Sequence, residues 1–259
     1  MYRKNNNTSK ERNNELRQIC DDERTLMFTN EDQLRKYLQF ASKFVTYSVN
    51  NTILIRHANP NASKVLSYKK WQELGRTVKK GEHGIFIWCP AVYKKEVFVE
   101  VKDKNGNKVL DASGNVKKEK KLVKDMYFTR GTVFDITQTE GDPLPDMENQ
   151  DTEDPIYETR EDLYDALHEL ISSVTLSSEE DMLYEYVSSL ATDLRCGSVE
   201  KEAAIKAATI TTAAFLQMDT ASFDLTSITA FGKNKDQKEL ESFLSTVKSL
   251  SKVSIKPFM

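Results

Sequence analysis

WQELGRTVKKGEHGIFIWCP, running from Trp71 to Pro90, compresses a helix end, a glycine turn and an apolar strand into one short run. The spacing predicts a short amphipathic helix from Tyr68 to Leu74, capped by Ser67 and stopped at Gly75, where a residue tolerant of positive φ belongs. Arg76, Lys79 and Lys80 follow, then the turn Gly81-Glu82-His83-Gly84, then Ile85-Phe86-Ile87-Trp88. Cations and aromatic rings close to one turn are the residue types that track phosphates and stack on unpaired bases.

Outward toward the N-terminus, Lys64 to Ser67 reads as a short strand. A helix is predicted over Val49 to Ala58, ended by Asn59-Pro60 because the residue before a proline avoids the α region. A longer helical pattern begins at Asn30, a cap whose partner is Gln33, and carries Leu34, Tyr37, Leu38, Ala41, Phe44 and Val45 at helical spacing. Tyr47, Asn50 and Asn51 fall at the junction between these helices. Residues 1–14, polar and rich in asparagine, are expected to be disordered.

Outward toward the C-terminus the period becomes two. Val97, Val99 and Val101 alternate with charged residues, and Asp103-Lys104-Asn105-Gly106-Asn107-Lys108 is a hairpin signal. The segment from Lys94 to Lys124 holds ten lysines and reads as a charged β-arm between two core strands, the second being Thr132 to Ile136. Lysines on such an arm suit phosphate contact, but they equally suit a strand edge protected from aggregation. Residues 141–158, with three prolines and many acids, have the composition of a linker. Helical stripes follow it: Leu163, Ala166, Leu167, Leu170 and Ile171; then Met182, Leu183, Tyr186, Leu190 and Leu194; then helices over about 199–217 and 236–250. The expected organisation is α+β: a disordered 1–14, an α+β domain over 15–140, a linker over 141–158 and a mostly α-helical domain over 159–259.

The net charge of −3 conceals an asymmetry. Residues 1–140 carry 27 Lys and Arg against 17 Asp and Glu; residues 141–259 carry 10 against 23. The basic part is a candidate partner for nucleic acid. Three cysteines, Cys20, Cys89 and Cys196, lie far apart with no CxxC pair, which argues against a disulfide framework or a zinc ribbon and fits a reducing cytosol. No apolar run approaches the roughly 18 residues of a membrane span, and no signal-peptide core appears at the N-terminus. GxSxG, Walker and dinucleotide-binding motifs are absent. His168-Glu169 has the start of HExxH, but Ser172 stands where the second histidine belongs, so no catalytic residue, metal ligand or cofactor is assigned. Trp71 and alternate residues of the run Ile85 to Trp88 suit either a core or a stacking surface.

The run YSVNNTILIRHANPNASKVLSYKKWQELGRTVKKGEHGIFIWCP, with Val133-Phe134-Asp135-Ile136-Thr137-Gln138-Thr139 after it, resembles the N-terminal single-stranded-DNA-binding domain of ArdC-type antirestriction proteins and their LtrC-like relatives. Tyr47-Ser48, Asn51, Pro60-Asn61-Ala62, Trp71, Leu74-Gly75-Arg76, Val78 to Glu82 and Phe134-Asp135 carry the likeness, over about residues 15–140. It implies a protein of plasmids, phages or conjugative elements acting in the bacterial cytoplasm, and sequence-tolerant binding of single-stranded DNA through Tyr47, Asn51, Trp71, Arg76, Lys79 and Lys80; Trp88, beside the basic turn, is added as a candidate stacking ring. It also implies, for the helical part, a degenerate remnant of a metallopeptidase-like domain, with Glu202 near a ligand's place and a host defence or transfer protein as partner. Two other functions stay open on the residues: an acidic, DNA-mimicking interaction module, and a divergent zinc peptidase.

Overall fold

The computed structural model describes residues 6–144, 160–170 and 178–259. They form two compact units, one of the described residues up to 87 together with those from 132 onward, the other of residues 88–131. The first unit contains nearly all the helices and the short strands.

Its N-terminal helices are α1 (Asn6–Met27), α2 (Glu31–Ser42) and α3 (Val49–Ala58). Helix α1 starts at Asn6, inside the stretch expected to be disordered, and Leu16, Cys20 and Met27 further along it are buried. Residues 1–5 lie outside the described residues. Asn30 caps α2 by accepting from the Gln33 N–H, and Ser48 caps α3 by accepting from the Asn51 N–H. Helix α3 is buried at Val49 and from Asn51 to Ile55, with Ile53 and Ile55 fully enclosed.

Beyond the acidic stretch, of which 145–158 lies outside the described residues, come α5 (Arg160–Leu170), α6 (Glu179–Leu190), α7 (Ser198–Phe215), α8 (Thr226–Gly232) and α9 (Gln237–Ile255). Helix α7 is the centre. Its alanines let neighbours approach closely, and its buried Thr209, Thr211 and Thr212 return their hydroxyls to the carbonyls four residues earlier at 2.8–2.9 Å, so no donor is orphaned. Helix α7 packs against α2, α6 and α9, while α9 also meets α1 and α3. The unit therefore crosses the compositional boundary at 141–158, because α1–α3 and the later helices bury their apolar faces against one another. Arg24 fastens this junction from within. It is 2% exposed and donates to Asp21 (2.9 Å), Gln237 Oε1 (2.7 Å) and Asn50 Oδ1 (2.8 Å).

Lys248 of α9 lies in a cleft lined by Tyr37, Leu38, Val45, Thr52, Leu244 and Val247, its Nζ donating to Phe44 O at 3.5 Å. Burial, with a smaller contribution from Lys252, pushes its amine down to about 8. The unfolded chain then binds the extra proton more tightly, so this group makes stability rise as pH climbs from about 8 toward the ordinary 10.5. Lys248→Met is expected to stabilise the protein below pH 8 and to flatten that rise, as read by thermal melts on either side of the window.

The sheet region follows α3. Strand β1 (Val65–Ser67) leads into α4 (Tyr68–Glu73), with Ser67 accepting from the Lys70 N–H, and Gly75 beyond it takes φ +72°. Then come β2 (Arg76–Val78), β3 (Ile85–Glu100), β4 (Lys118–Asp135), one 3₁₀ turn (Ile136–Gln138) and β5 (Thr139–Gly141). The strands make a three-stranded sheet in the order β1-β4-β3 and a pair β2-β5. Val65 faces Asp135 across β1-β4, and Arg76 faces Gly141 across β2-β5, both antiparallel.

The second unit, residues 88–131, is the charged arm. The hairpin expected at Asp103–Lys108 is present, and a second turn repeats its design eight residues later: Asp103 accepts from the N–H groups of Asn105 and Asn107, Asp111 from those of Ser113 and Asn115. Gly106 and Gly114 supply the positive φ that each turn needs. Between the turns the backbone links Val109 N–H to Val101 O and Lys117 N–H to Val109 O.

Candidate nucleic-acid interface

The geometry of the basic turn is set by residues distant in sequence. Asp135 is fully buried, and its carboxylate accepts from Ser63 N–H (2.9 Å), Lys64 N–H (3.3 Å), Thr137 N–H (3.1 Å) and Thr137 Oγ1 (2.6 Å). It also caps the 3₁₀ turn, with Gln138 Oε1 returning to the Asp135 N–H at 2.9 Å. The other end of the Gln138 side chain donates to Glu82 Oε2 (2.8 Å) and to His83 O (2.9 Å). The Lys79 N–H donates to Gln138 O at 2.9 Å, and Lys79 Nζ to Thr137 O at 2.9 Å. Thus the turn Lys79–Gly84 is pinned to the 3₁₀ turn at both ends. Gly81, at φ +92°, bends it, and Gly84 is needed where Thr132 and Phe134 approach, since an added Cβ would stand 2.1 Å from Thr132 Cγ2.

This scaffold leaves Lys79 and Lys80 exposed. Lys80 forms no side-chain hydrogen bond or ion pair among the described residues. The Tyr68 and Phe86 rings, 47% and 43% exposed, belong to the same unit. A fixed turn with two ammonium groups is chemically suited to one or two phosphates.

The other residues singled out in the sequence are engaged inside the protein. Trp71 has no exposed surface; it packs with Ile136, Leu144, Leu66, Val78 and Phe134, and its Nε1 donates to Phe134 O at 2.8 Å. A ring so enclosed cannot stack on a base in this conformation, and of the two settings open to it the structure gives the core. Arg76 spends its guanidinium on β5: Nε donates to Thr139 Oγ1 at 2.8 Å, and the terminal nitrogens to the carbonyls of Thr139, Gly141 and Asp142. Its role here is to lock β2 to β5. The Tyr47 hydroxyl donates to Val65 O at 2.6 Å, tying the α2–α3 junction to β1. Asn51 is buried at 8% exposure in the first turn of α3. Trp88 is half-buried and begins the second unit. Of the seven residues, only Lys79 and Lys80 are exposed, and both stand on the backbone of the pinned turn. Asp135, Glu82 and Gln138 lie in the segments that carry the family likeness but received no role from the sequence; the signal available was the Asp-x-x-Gln spacing of Asp135 and Gln138, a capping-box pattern.

In the helical part, Glu202 pairs with Lys206 at 3.1 Å, and His168 is exposed on α5. Among the described residues no group of three His, Cys, Asp or Glu side chains is placed to hold a metal ion. Ser172 lies outside the described residues. No helix among them is long and apolar enough to cross a membrane.

A helix end anchored by a buried tryptophan, a small antiparallel sheet and a basic glycine turn pinned across it define an α+β domain with helices continuing beyond. Residues 23–134 match the family described as the N-terminal domain of anti-restriction factor ArdC. The match ends before the helical part. The chain is 28% identical over 128 residues to uncharacterized protein pXO2-81 of Bacillus anthracis, which takes in 46% of this chain and 21% of that protein. It thus spans about a fifth of that relative's length. It is similar to the metal-free structure of antirestriction ArdC protein from the R388 plasmid, at 16% identity and TM-score 0.39, covering 82% of this chain and 85% of that one. The Mn(II)-bound structure of the same protein gives 13% identity and TM-score 0.40, covering 87% and 98%.

Proposed function

We propose that this chain binds single-stranded DNA with little regard to base sequence, as part of the antirestriction or DNA-protection equipment of a mobile element. The observation that carries this reading is the pinned turn Lys79–Gly84, whose fixed backbone presents two exposed lysines on a domain matched by the ArdC model. The basic excess of the charged arm supports it, because residues 88–131 carry eleven Lys and Arg against six Asp and Glu and so attract a polyanion beyond the one turn. Sequence tolerance follows from the kind of contact: phosphates are alike at every base.

Replacing Lys79 and Lys80 together by alanine is expected to weaken binding to all single-stranded sequences alike. The dependence of log affinity on log salt should flatten by about 0.7 per lost phosphate contact, roughly 1.4 for the pair. A salt-dependent fluorescence-anisotropy titration of wild type and double variant measures both quantities. Unchanged affinity and unchanged slope would remove the turn from the binding site.

A further inference from the structure

We propose that one face of the second unit is itself a base-stacking surface for single-stranded nucleic acid, with Phe98 and Phe128 as its platforms; this rests on the reading just given. Side chains of a strand alternate between faces. Contacts between β3 and β4 sort the arm accordingly. Lys120 pairs with Glu96 at 2.9 Å and lies over the Phe98 ring at 5.9 Å, so even-numbered residues of both strands share one face. Tyr93 meets Tyr127 edge-on at 5.6 Å, and its hydroxyl donates to Asp125, which also pairs with Lys95, so odd-numbered residues share the other.

The two faces differ in kind. On the odd face the groups satisfy one another: Lys95, the Met126 N–H and the Tyr93 hydroxyl hold the Asp125 carboxyl below its ordinary range. Val97, Val99 and Val123 are half-buried there. The even face displays Val92, Phe98, Leu122, Met126 and Phe128, each 55–67% exposed. Lys94, Lys118 and Lys124 lie among them and form no ion pair within the described residues. Lysines alone would be explained as protection of a strand edge. Five large apolar side chains left more than half open would not, since such a patch marks a binding surface.

Charge selects the occupant. Residues 88–131 contain eleven Lys and Arg against six Asp and Glu. A ligand offering flat apolar rings and negative charge together matches a face of phenyl rings interleaved with ammonium groups, and single-stranded nucleic acid offers both. Lys120 lies eight residues from Phe128 along β4, about 26 Å at the rise of a strand, so the two rings engage bases several nucleotides apart.

The test uses the full chain and a labelled oligothymidine. Phe98→Ala/Phe128→Ala should lose affinity by about tenfold or more while its salt slope stays that of wild type. Phe98→Leu/Phe128→Leu, which keeps apolar area but removes the rings, should lose affinity similarly. Lys94→Gln/Lys124→Gln should instead flatten the slope by about 1.4. A thermal melt beside each titration certifies the fold. If wild type binds and both phenylalanine variants bind equally well, this face is not the platform, although the function proposed above survives. If the leucine variant binds like wild type while the alanine variant does not, the face touches the single strand through apolar area alone, and the base-stacking assignment is overturned. If wild type binds no single strand at all, the proposed function falls and this inference with it.

Discussion

Trp71→Ala is expected to cost about 3–5 kcal/mol of stability, the range for deleting a large aromatic side chain from a core. Trp71 is among the largest fully buried side chains, and its removal opens a cavity among Leu66, Val78, Phe134, Ile136 and Leu144. It also strands Phe134 O, which accepts the indole N–H at 2.8 Å, and a buried acceptor left unpaired adds its own desolvation penalty. Trp71→Phe keeps much of the volume and loses the hydrogen bond, so it should be destabilised by a smaller amount. Urea unfolding measures both variants. The folded Trp71→Phe protein should bind single-stranded DNA as wild type does; a large loss of affinity with the fold intact would mean that this ring reaches the ligand.

Asp135→Ala is expected to cost about 3 kcal/mol or more, since hydrogen bonds to a charged acceptor contribute about 1.5–3 kcal/mol each and do not simply add. The substitution strands the N–H groups of Ser63 and Thr137 and the Thr137 hydroxyl. Its effect should extend to binding. Asp135 caps the 3₁₀ turn on which Gln138 holds Glu82 and His83, so loosening it frees the turn that presents Lys79 and Lys80. Hydrogen exchange at the amides of residues 79–84 should quicken in this variant more than in one destabilised equally elsewhere, such as Phe243→Ala in the helical core.

The local signals in the sequence were read with little loss. Ser67 and Asn30 cap where a short polar side chain can reach an N–H three residues on, Gly75 has the positive φ a helix end calls for, and Asn59-Pro60 ends α3. The alternation of Val97, Val99 and Val101 gave the arm its strand character. What stayed hidden depends on contacts far apart in the chain. The carbonyl that fixes Trp71 is 63 residues away, as is the Thr139 hydroxyl that occupies Arg76. No local pattern distinguishes a guanidinium that will find a backbone carbonyl from one that will find a phosphate. The packing of α1–α3 against α7 and α9 was equally illegible, because an apolar stripe announces that it will be covered but not by which helix. The even face of the arm was obscured for another reason. Its lysines are what a protected edge also shows, and only the exposure of Phe98, Leu122, Met126 and Phe128 beside them separates the two meanings.

Single-strand binding through phosphates and rings is decided by equilibrium titration of the wild-type chain against a single strand and the corresponding duplex at several salt concentrations. The single strand should bind more tightly than the duplex, different base sequences should bind alike, and log affinity should fall linearly in log salt with a slope of about −0.7 for each phosphate neutralised. Absence of single-strand binding at low salt, or a duplex bound more tightly than the single strand, would contradict that mode of binding.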